Sequence, residues 1–290
     1  MSVKAPGEEA LTLIRSAAWY GKANQLSREY VDWPILPEII VTTRYGADLP
    51  KVSRPFSTFF QGPTPKVNAF EVIHQRRSAV AFDATSEISA DIFFAMMGRV
   101  LAGDHPPWNA LCWDPAIHLL LFVHRVKDLP PGLYFLERNL ADRSQLREVM
   151  RPEFSWNKIR SVPENLPLFF LMEGDVRQVA MNVSCNQSIA GDSFFSLGMI
   201  ANFKASLEKF GPSFYRNLFW ECGVIGQVLY LEAEAHGTRA TGIGCYFDDP
   251  VHQLMGLTDN TFQSMYHFTV GAAVEDTRLK TSPAYVNKAI

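Results

Sequence analysis

Hydrophobic and polar residues follow helical spacing in the first part of the chain. In residues 8–31 the apolar positions lie on one helical face and Pro34 follows, so we predict an N-terminal helix that ends before this proline. The stretch from Pro34 to Pro65 contains six prolines and little periodicity, which predicts an extended arm. Two further helices are predicted, one beginning at Asn68 as its N-cap and one over residues 89–101.

Apolar segments later in the chain predict β-strands. Residues 116–126 and 133–136 flank a Pro-Pro-Gly turn, which is typical of a hairpin. Residues 166–172 and 194–203 are further candidates, the second continuing into a helix, and residues 264–271 predict a last strand. We find no internal repeat and no low-complexity segment.

Residues 212–236 have the clearest helical pattern in the chain. Pro212 at the start and Gly237 at the end are the expected start and stop signals. The middle of the segment is apolar on every side, which predicts a central, buried helix. Gly223 and Gly226 inside it would permit the close approach of another helix.

A glycine-rich segment follows this helix. Residues 241–245 read Thr-Gly-Ile-Gly-Cys and allow two interpretations: a tight turn between helix and strand, or a site where backbone N–H groups approach a flat ligand. Asp249 then predicts an N-cap and Pro250 the first residue of a short helix that ends at Gly256.

Composition and charge restrict the class of protein. The 290 residues are 47% hydrophobic and 20% charged, which indicates a globular protein of one or two domains. The net charge is −3 and the basic residues are scattered, so we do not expect a nucleic-acid partner. The N-terminus lacks a signal-peptide pattern, and no apolar run approaches the roughly 20 residues that a membrane span needs. We therefore expect a cytoplasmic protein without a membrane segment.

The cysteines and histidines do not form a recognisable metal site. The four cysteines, Cys112, Cys185, Cys222 and Cys245, are far apart, so we interpret them as free thiols in a reducing compartment. Cys185 remains either a redox thiol or a packed small hydrophobe. The seven histidines lack ligand spacing, hydrolase motifs are absent, and Phe247 replaces the third glycine of a dinucleotide fingerprint.

Three consecutive polar residues, Arg76, Arg77 and Ser78, form the 76–78 cluster. Two guanidinium groups and a hydroxyl can bind a monophosphate through charge-assisted hydrogen bonds. A solvated charged surface explains the same residues, because exposed charges contribute little to stability.

The sequence around these two features resembles the nitroreductase superfamily. HQRRSAVAFD (74–83) is similar to its FMN phosphate motif, and residues 223–257 are similar to its long core helix and flavin-contacting turn. PPGLYFLERN (130–139), KFGPSFYR (209–216) and residues 270–285 resemble the SagB-type branch, which includes azoline oxidases of thiazole- and oxazole-modified peptides. The resemblance covers about residues 68–285.

The resemblance implies an α+β fold with a mostly antiparallel central sheet flanked by helices. It also implies a homodimer with a long buried core helix and FMN at the subunit interface. Residues 1–67 would form an N-terminal helix and proline-rich arm, and residues 68–290 the FMN-binding domain. The residues that match cofactor contacts are Arg76, Arg77 and Ser78 at the phosphate and ribityl chain, Gly242, Gly244 and Cys245 at the flavin N5 and O4 region, and Arg278 near the phosphate.

The sequence departs from the family pattern at several positions. Val80 replaces a second basic residue, and PPWNALCWDP (106–115) replaces a flavin loop. In this loop Asn109 is a candidate ring contact, and two tryptophans would either stack on the flavin or pack in the core. The catalytic Lys-Tyr pair of azoline oxidases reads Lys209-Phe210, so Lys209 and Tyr215 are the candidate catalytic residues.

Three functions remain open at this point. The first is an FMN-dependent oxidoreductase that passes a hydride through the flavin between NAD(P)H or an organic substrate and an acceptor. The second is a non-catalytic flavin-binding or interaction protein with a degenerate site, and the third is an azoline oxidase acting on a modified peptide. Small-molecule or peptide substrates are therefore expected, and a metal is not.

Overall fold

The described strands form a single antiparallel sheet. The computed structural model describes residues 7–22, 29, 31–44, 63–278 and 280. Among these, the strands are β1 (Ile117–Val123), β2 (Gly132–Leu136), β3 (Leu168–Glu173), β4 (Phe195–Asn202), β5 (Arg239–Ile243) and β6 (Phe262–Gly271). The sheet has six strands in the order β3-β2-β1-β4-β6-β5, and every neighbouring pair is antiparallel. The antiparallel sheet predicted from the resemblance is confirmed.

Helices cover both faces of this sheet. The helices of the described residues are α1 (Glu8–Ser16), α2 (Ile35–Thr42), α3 (Ala69–Gln75), α4 (Ala90–Arg99), α5 (Arg143–Val149), α6 (Arg177–Val183), α7 (Ser188–Gly191), α8 (Phe203–Phe210), α9 (Tyr215–Ala235) and α10 (Asp248–Met255). Short 3-10 turns lie at Trp108–Ala110, Leu140–Asp142 and Pro212–Phe214. None of the helices described here combines the length and apolar character that crossing a membrane requires.

Strand β1 shows why the core has two layers. All seven of its residues are buried, because helices lie above and below it. Leu119 and Leu121 join the cluster built with α4 and α9, whereas Leu120 and Phe122 join the cluster built with α5, α6 and α10. Successive side chains of a strand point to opposite faces, so one apolar strand supplies both layers.

Most of the elements predicted from local pattern are confirmed. The Pro-Pro-Gly segment connects β1 and β2 as a hairpin, and β4 continues directly into α8. The side chain of Asn68 accepts a hydrogen bond from Phe70 N (2.9 Å), and Ser89 caps α4 in the same way. Gly256 ends α10 in the left-handed conformation, with φ of 84°.

The N-terminal segment differs from the prediction. Helix α1 ends at Ser16 rather than continuing to residue 31, and α2 lies in the segment predicted to be extended. Residues 45–62 of that arm lie outside the described residues. Neither α1 nor α2 has a buried residue, so the helical periodicity that we used here is not matched by packing within the chain.

Two predictions near residues 241–256 were also wrong in detail. The glycine-rich segment is not a tight turn, because residues up to Ile243 form the edge strand β5 paired with β6. Helix α10 begins at Asp248 with Phe247 as its N-cap, so Asp249 is not the cap. Pairing with β6 supplies backbone hydrogen bonds that a propensity argument for glycine does not include.

Candidate functional site

The fold brings the 76–78 cluster to the start of the glycine-rich segment. Ser78 pairs with Ala240 of β5 in a parallel bridge, and Ala79 N donates to Ala240 O at 3.1 Å. The hydroxyl of Thr241 donates to Ala79 O at 2.7 Å. The two features that the sequence singled out therefore lie side by side at the β5 edge of the sheet.

Tyr230 of α9 joins these two features. Its hydroxyl accepts a hydrogen bond from Gly242 N at 2.8 Å and lies 2.9 Å from the hydroxyl of Ser78. The guanidinium group of Arg76 stacks over the Tyr230 ring, 4.8 Å from its centroid. The sequence analysis did not identify Tyr230 as a site residue. Its spacing from Gly223 and Gly226 places all three on one helix face, and this pattern could have identified it.

A cavity of about 210 Å³ lies beside Tyr230, between α9 and the sheet. Its lining is mostly aromatic and glycine: Phe219, Cys222, Gly223, Gly226, Gln227, Tyr230, Gly242, Tyr266 and Phe268. A Cβ at Gly242 would lie 2.8 Å from the Tyr266 hydroxyl, so a side chain at position 242 would collide with this wall. A Cβ at Gly223 would meet nothing within 4 Å, which leaves open space on the α9 side. Burial raises the pKa of Tyr266, so its phenol stays protonated at neutral pH.

Of the predicted basic residues, Arg76 is the one directed at this site. It is half-buried, and no carboxylate pairs with it among the residues that the structure describes. Arg77 instead donates to the carbonyls of His74 (2.9 Å) and Arg76 (2.7 Å), at the end of its own helix. Arg278 forms a two-point pair with Asp276, at 2.9 and 2.7 Å, and its side chain is 88% exposed.

The loop of residues 106–115 packs its tryptophans into the core. Trp108 donates to Arg99 O at 3.0 Å, and Trp113 donates to Glu221 at 2.9 Å. The packing interpretation of these tryptophans is therefore confirmed. Asn109 is exposed on the 3-10 turn, and the contacts within the described residues do not join it to Tyr230.

The two candidate catalytic residues lie in different surroundings. Lys209 Nζ lies 5.0 Å from the Phe210 ring centroid, and Lys209 lines a second cavity of about 270 Å³ with Asp142 and Asn202. Tyr215 packs edge-on against Phe219, which lines the first cavity, with ring centroids 5.2 Å apart. Tyr215 thus contacts a residue that lines the candidate site, whereas Lys209 lies at a separate cavity. Their catalytic roles stay predictions.

Two of the four cysteines are bonded to each other. Cys185 and Cys245 form a disulfide with Cα atoms 5.8 Å apart, whereas Cys112 and Cys222 are free. The expectation of four free thiols was wrong, because residues separated by 60 positions meet only in the folded chain. The cysteines consequently no longer argue for a reducing compartment. Among the described residues, no group of three or more His, Cys, Asp or Glu is arranged to hold a metal ion.

Comparison with known proteins identifies the fold. No protein-family model and no curated protein matches the chain. A putative nitroreductase from Anabaena variabilis matches with a TM-score of 0.61 and 18% identity, over 86% of this chain and 49% of that protein. This chain thus spans about half the length of that protein. A chain of the E. coli microcin synthetase McbBCD complex, bound to truncated pro-MccB17, matches with a TM-score of 0.50 and 15% identity, over 86% of this chain and 85% of that one. At these identities the likeness concerns architecture, and the chain has the nitroreductase fold.

Proposed function

We propose that this protein is an FMN-dependent oxidoreductase that transfers a hydride through flavin N5, between NAD(P)H or an organic substrate and an acceptor. The observation that carries the proposal is the meeting of Arg76, Ser78 and Gly242 around Tyr230, beside an aromatic cavity. FMN would supply the hydride chemistry, and the protein would bind, orient and shield it.

The residues present fit the two chemically different ends of FMN. A phosphate carries about two negative charges, and Arg76 is a cation without a carboxylate partner among the described residues, next to the Ser78 hydroxyl. The isoalloxazine ring is flat and apolar, and Gly223 leaves open space on the cavity wall where a ring would lie. Arg77, Asn109, Gly244, Cys245 and Arg278 belong to the proposed cofactor site on the sequence resemblance alone.

The proposal includes a cytoplasmic homodimer of the SagB type. In the single chain, Trp220, which follows the cavity-lining Phe219 in α9, is 56% exposed, and Phe70 and Ile73 of α3 are 57% and 59% exposed. Apolar surface of this kind is expected at a protein–protein interface. The division into an arm of residues 1–67 and a flavin domain of residues 68–290 is part of the same proposal.

The first experiment measures FMN binding by the purified full chain. We expect a flavin absorbance band in the isolated protein or after incubation with FMN, and about tenfold weaker binding in Arg76→Ala because a charge-assisted phosphate contact is lost. Arg160→Ala removes the same charge from an exposed site next to β3, at the opposite edge of the sheet, and serves as control. A colourless protein that takes up no FMN would refute the proposal.

Two observations favour a non-catalytic flavin-binding or interaction protein as the second candidate. The Tyr230 hydroxyl already engages both Ser78 and Gly242 N, and Val80 is 74% exposed where relatives carry a basic residue. Rapid-mixing measurements separate the two functions. Bound FMN that is reduced by NAD(P)H and reoxidised by quinones or nitroaromatics supports the oxidoreductase, and flavin that does neither supports this second candidate.

Azoline oxidation of a modified peptide is the third candidate. It is supported by the likeness to a chain of the microcin synthetase complex and by Lys209 at a cavity of its own. Lys209→Ala is expected to abolish peptide oxidation while FMN stays bound. Unchanged peptide oxidation in this variant would argue against it.

A further inference from the structure

The disulfide lies at the end of the segment that would contact the flavin. Strand β5 ends at Ile243, whose register partner is His267, and Cys245 follows two residues later. Cys185 comes from the loop between α6 and α7. The bond therefore ties the end of the glycine-rich segment to a loop from a different part of the chain.

The backbone at Gly244 lies between two attachments. On one side it continues from the β5–β6 pairing, and on the other it is followed by the disulfide at Cys245. Gln187 adds a hydrogen bond from its side-chain amide to Cys245 O at 3.1 Å, and Phe247 N donates to Val183 O at 2.8 Å. These two hydrogen bonds connect the same two loops as the disulfide, so the covalent bond reinforces a contact that noncovalent forces also make.

The disulfide is accessible to a reductant. Cys245 is exposed and Cys185 is half-exposed. Cys185 and Asn186 have positive φ values of 54° and 57°. Asparagine tolerates this left-handed conformation but cysteine rarely adopts it, so the loop would relax if Cys185 were released.

We propose that the Cys185–Cys245 disulfide is a reversible redox site, opened by an external dithiol, that controls how firmly residues 241–245 are held for flavin binding. The proposal rests on the proposed FMN function. A rigid segment binds a ligand with less loss of conformational entropy than a loose one, so the oxidised form would bind FMN more tightly.

The exchange balances in atoms and electrons. A thiolate of the dithiol attacks Sγ of the exposed Cys245, the S–S bond breaks, and Cys185 leaves as a thiolate that takes a proton. The second thiol of the dithiol then attacks the mixed disulfide and releases Cys245 as a thiol. The protein gains two electrons and two protons, and the dithiol is oxidised to a cyclic disulfide.

Thiol labelling and hydrogen exchange test the redox site without flavin. In the native full chain we expect only Cys112 to react before treatment, because burial raises the pKa of Cys222 and hides its sulfur. After dithiothreitol, Cys185 and Cys245 should react as well. Amides of residues 241–247 should then exchange about tenfold faster, and reoxidation should reverse this. A disulfide that resists dithiothreitol in the native protein, or unchanged exchange after reduction, overturns the proposal.

FMN affinity tests the regulatory part. We expect reduction to weaken FMN binding about tenfold. The double variant Cys185→Ser/Cys245→Ser should bind like the reduced wild type and ignore dithiothreitol, whereas Cys112→Ser should behave like wild type in both states. Equal FMN affinity of the oxidised and reduced protein overturns the regulatory part. If the oxidised protein binds no FMN, the proposed function fails, and the exchange rates alone then support or overturn the redox site.

Discussion

The two faces of helix α9 have similar apolar character and opposite surroundings. On the inner face, Leu218, Ile225 and Leu229 are completely buried against the sheet. On the outer face, Phe219 is 37% exposed and Trp220 56% exposed. The apolar pattern is therefore satisfied by the chain's own fold on one side only. A helix that is apolar all round predicts burial, but it does not say whether the covering surface comes from the same chain.

The inner face also carries the main buried charges. Glu221 of α9 forms an ion pair with Arg138, and both side chains are almost fully buried. The Glu221 carboxylate also accepts hydrogen bonds from Trp113 Nε1 (2.9 Å), Ala116 N (3.1 Å) and Ile117 N (3.3 Å). The inner face is thus fixed by directional bonds, whereas the outer face offers open space and apolar surface.

The largest expected effect comes from breaking this inner ion pair. Glu221→Gln leaves the buried Arg138 without a counter-charge and should lower the free energy of unfolding by about 3–5 kcal/mol. Urea denaturation measures it, with Gln227→Ala on the exposed face as control, expected within about 0.5 kcal/mol of wild type. Equal effects of the two variants would erase the distinction between the faces.

Acid should have the next largest effect, on the face of the sheet opposite α9, where the His267 ring contacts the Ser184 hydroxyl at 3.1 Å. Burial lowers the pKa of His267 in β6 to about 4, below its ordinary 6.5, so the unfolded chain binds more protons between these two values. The contribution of the neutral His267 ring to the free energy of unfolding is complete above pH 6.5. It is lost as the pH falls toward 4, by about 3 kcal/mol at most. The free energy of unfolding of His267→Phe, measured against pH, should show a shallower slope in this window. A slope equal to that of wild type would contradict the assignment.

A smaller effect, opposite in sign, is expected on the outer face. Gly223→Ala adds a Cβ into open space and should stabilise the helix by about 0.8–1 kcal/mol. Gly226→Ala is the inner control, since its Cβ would meet the Phe268 ring at 3.4 Å and part of this gain should be lost. Gly223→Ala should also weaken FMN binding, because it fills the cavity wall. A stabilised variant with unchanged FMN affinity would show that the flavin does not lie against this face.

The smallest effect on the fold is expected at Trp220. Trp220→Glu places a charge on an exposed position, so far-UV circular dichroism should be unchanged and the local cost should stay within about 0.5 kcal/mol. If a second copy covers this face, the variant should sediment as a monomer while the wild type sediments as a dimer. A monomeric wild type would leave the outer face as cavity wall alone and refute the proposed homodimer.

The part of the fold that follows from sequence is the part decided by neighbouring residues. The β1–β2 hairpin follows from two apolar runs and the turn ending at Gly132, where a Cβ would collide with Met172 O at 2.2 Å. The caps at Asn68 and Ser89 follow from side chains that bond the next turn of the same helix. Helix α9 follows from Pro212, in the 3-10 turn just before it, and from Gly237 just after it. In each case the partner atoms lie within a few residues along the chain.

The candidate functional site follows only in part from residues that are neighbours in the chain. Arg76, Ser78 and Gly242 were singled out by chemistry and by resemblance, and the structure brings them together through β5 and Tyr230. At the N-terminus, local pattern predicted too much helix. The periodic pattern in residues 8–31 predicted one long helix, but α1 has no buried residue and ends at Ser16.

By itself, the sequence determined five of the six segments that form the sheet, where most helices begin, and which short clusters carry charge or flexibility. Only the tertiary structure decided that Cys185 meets Cys245, that Glu221 meets Arg138, and that Tyr230 lies between Ser78 and Gly242. These contacts join residues far apart in the chain. Their formation depends on the order of strands in the sheet, which local hydrophobic pattern does not encode.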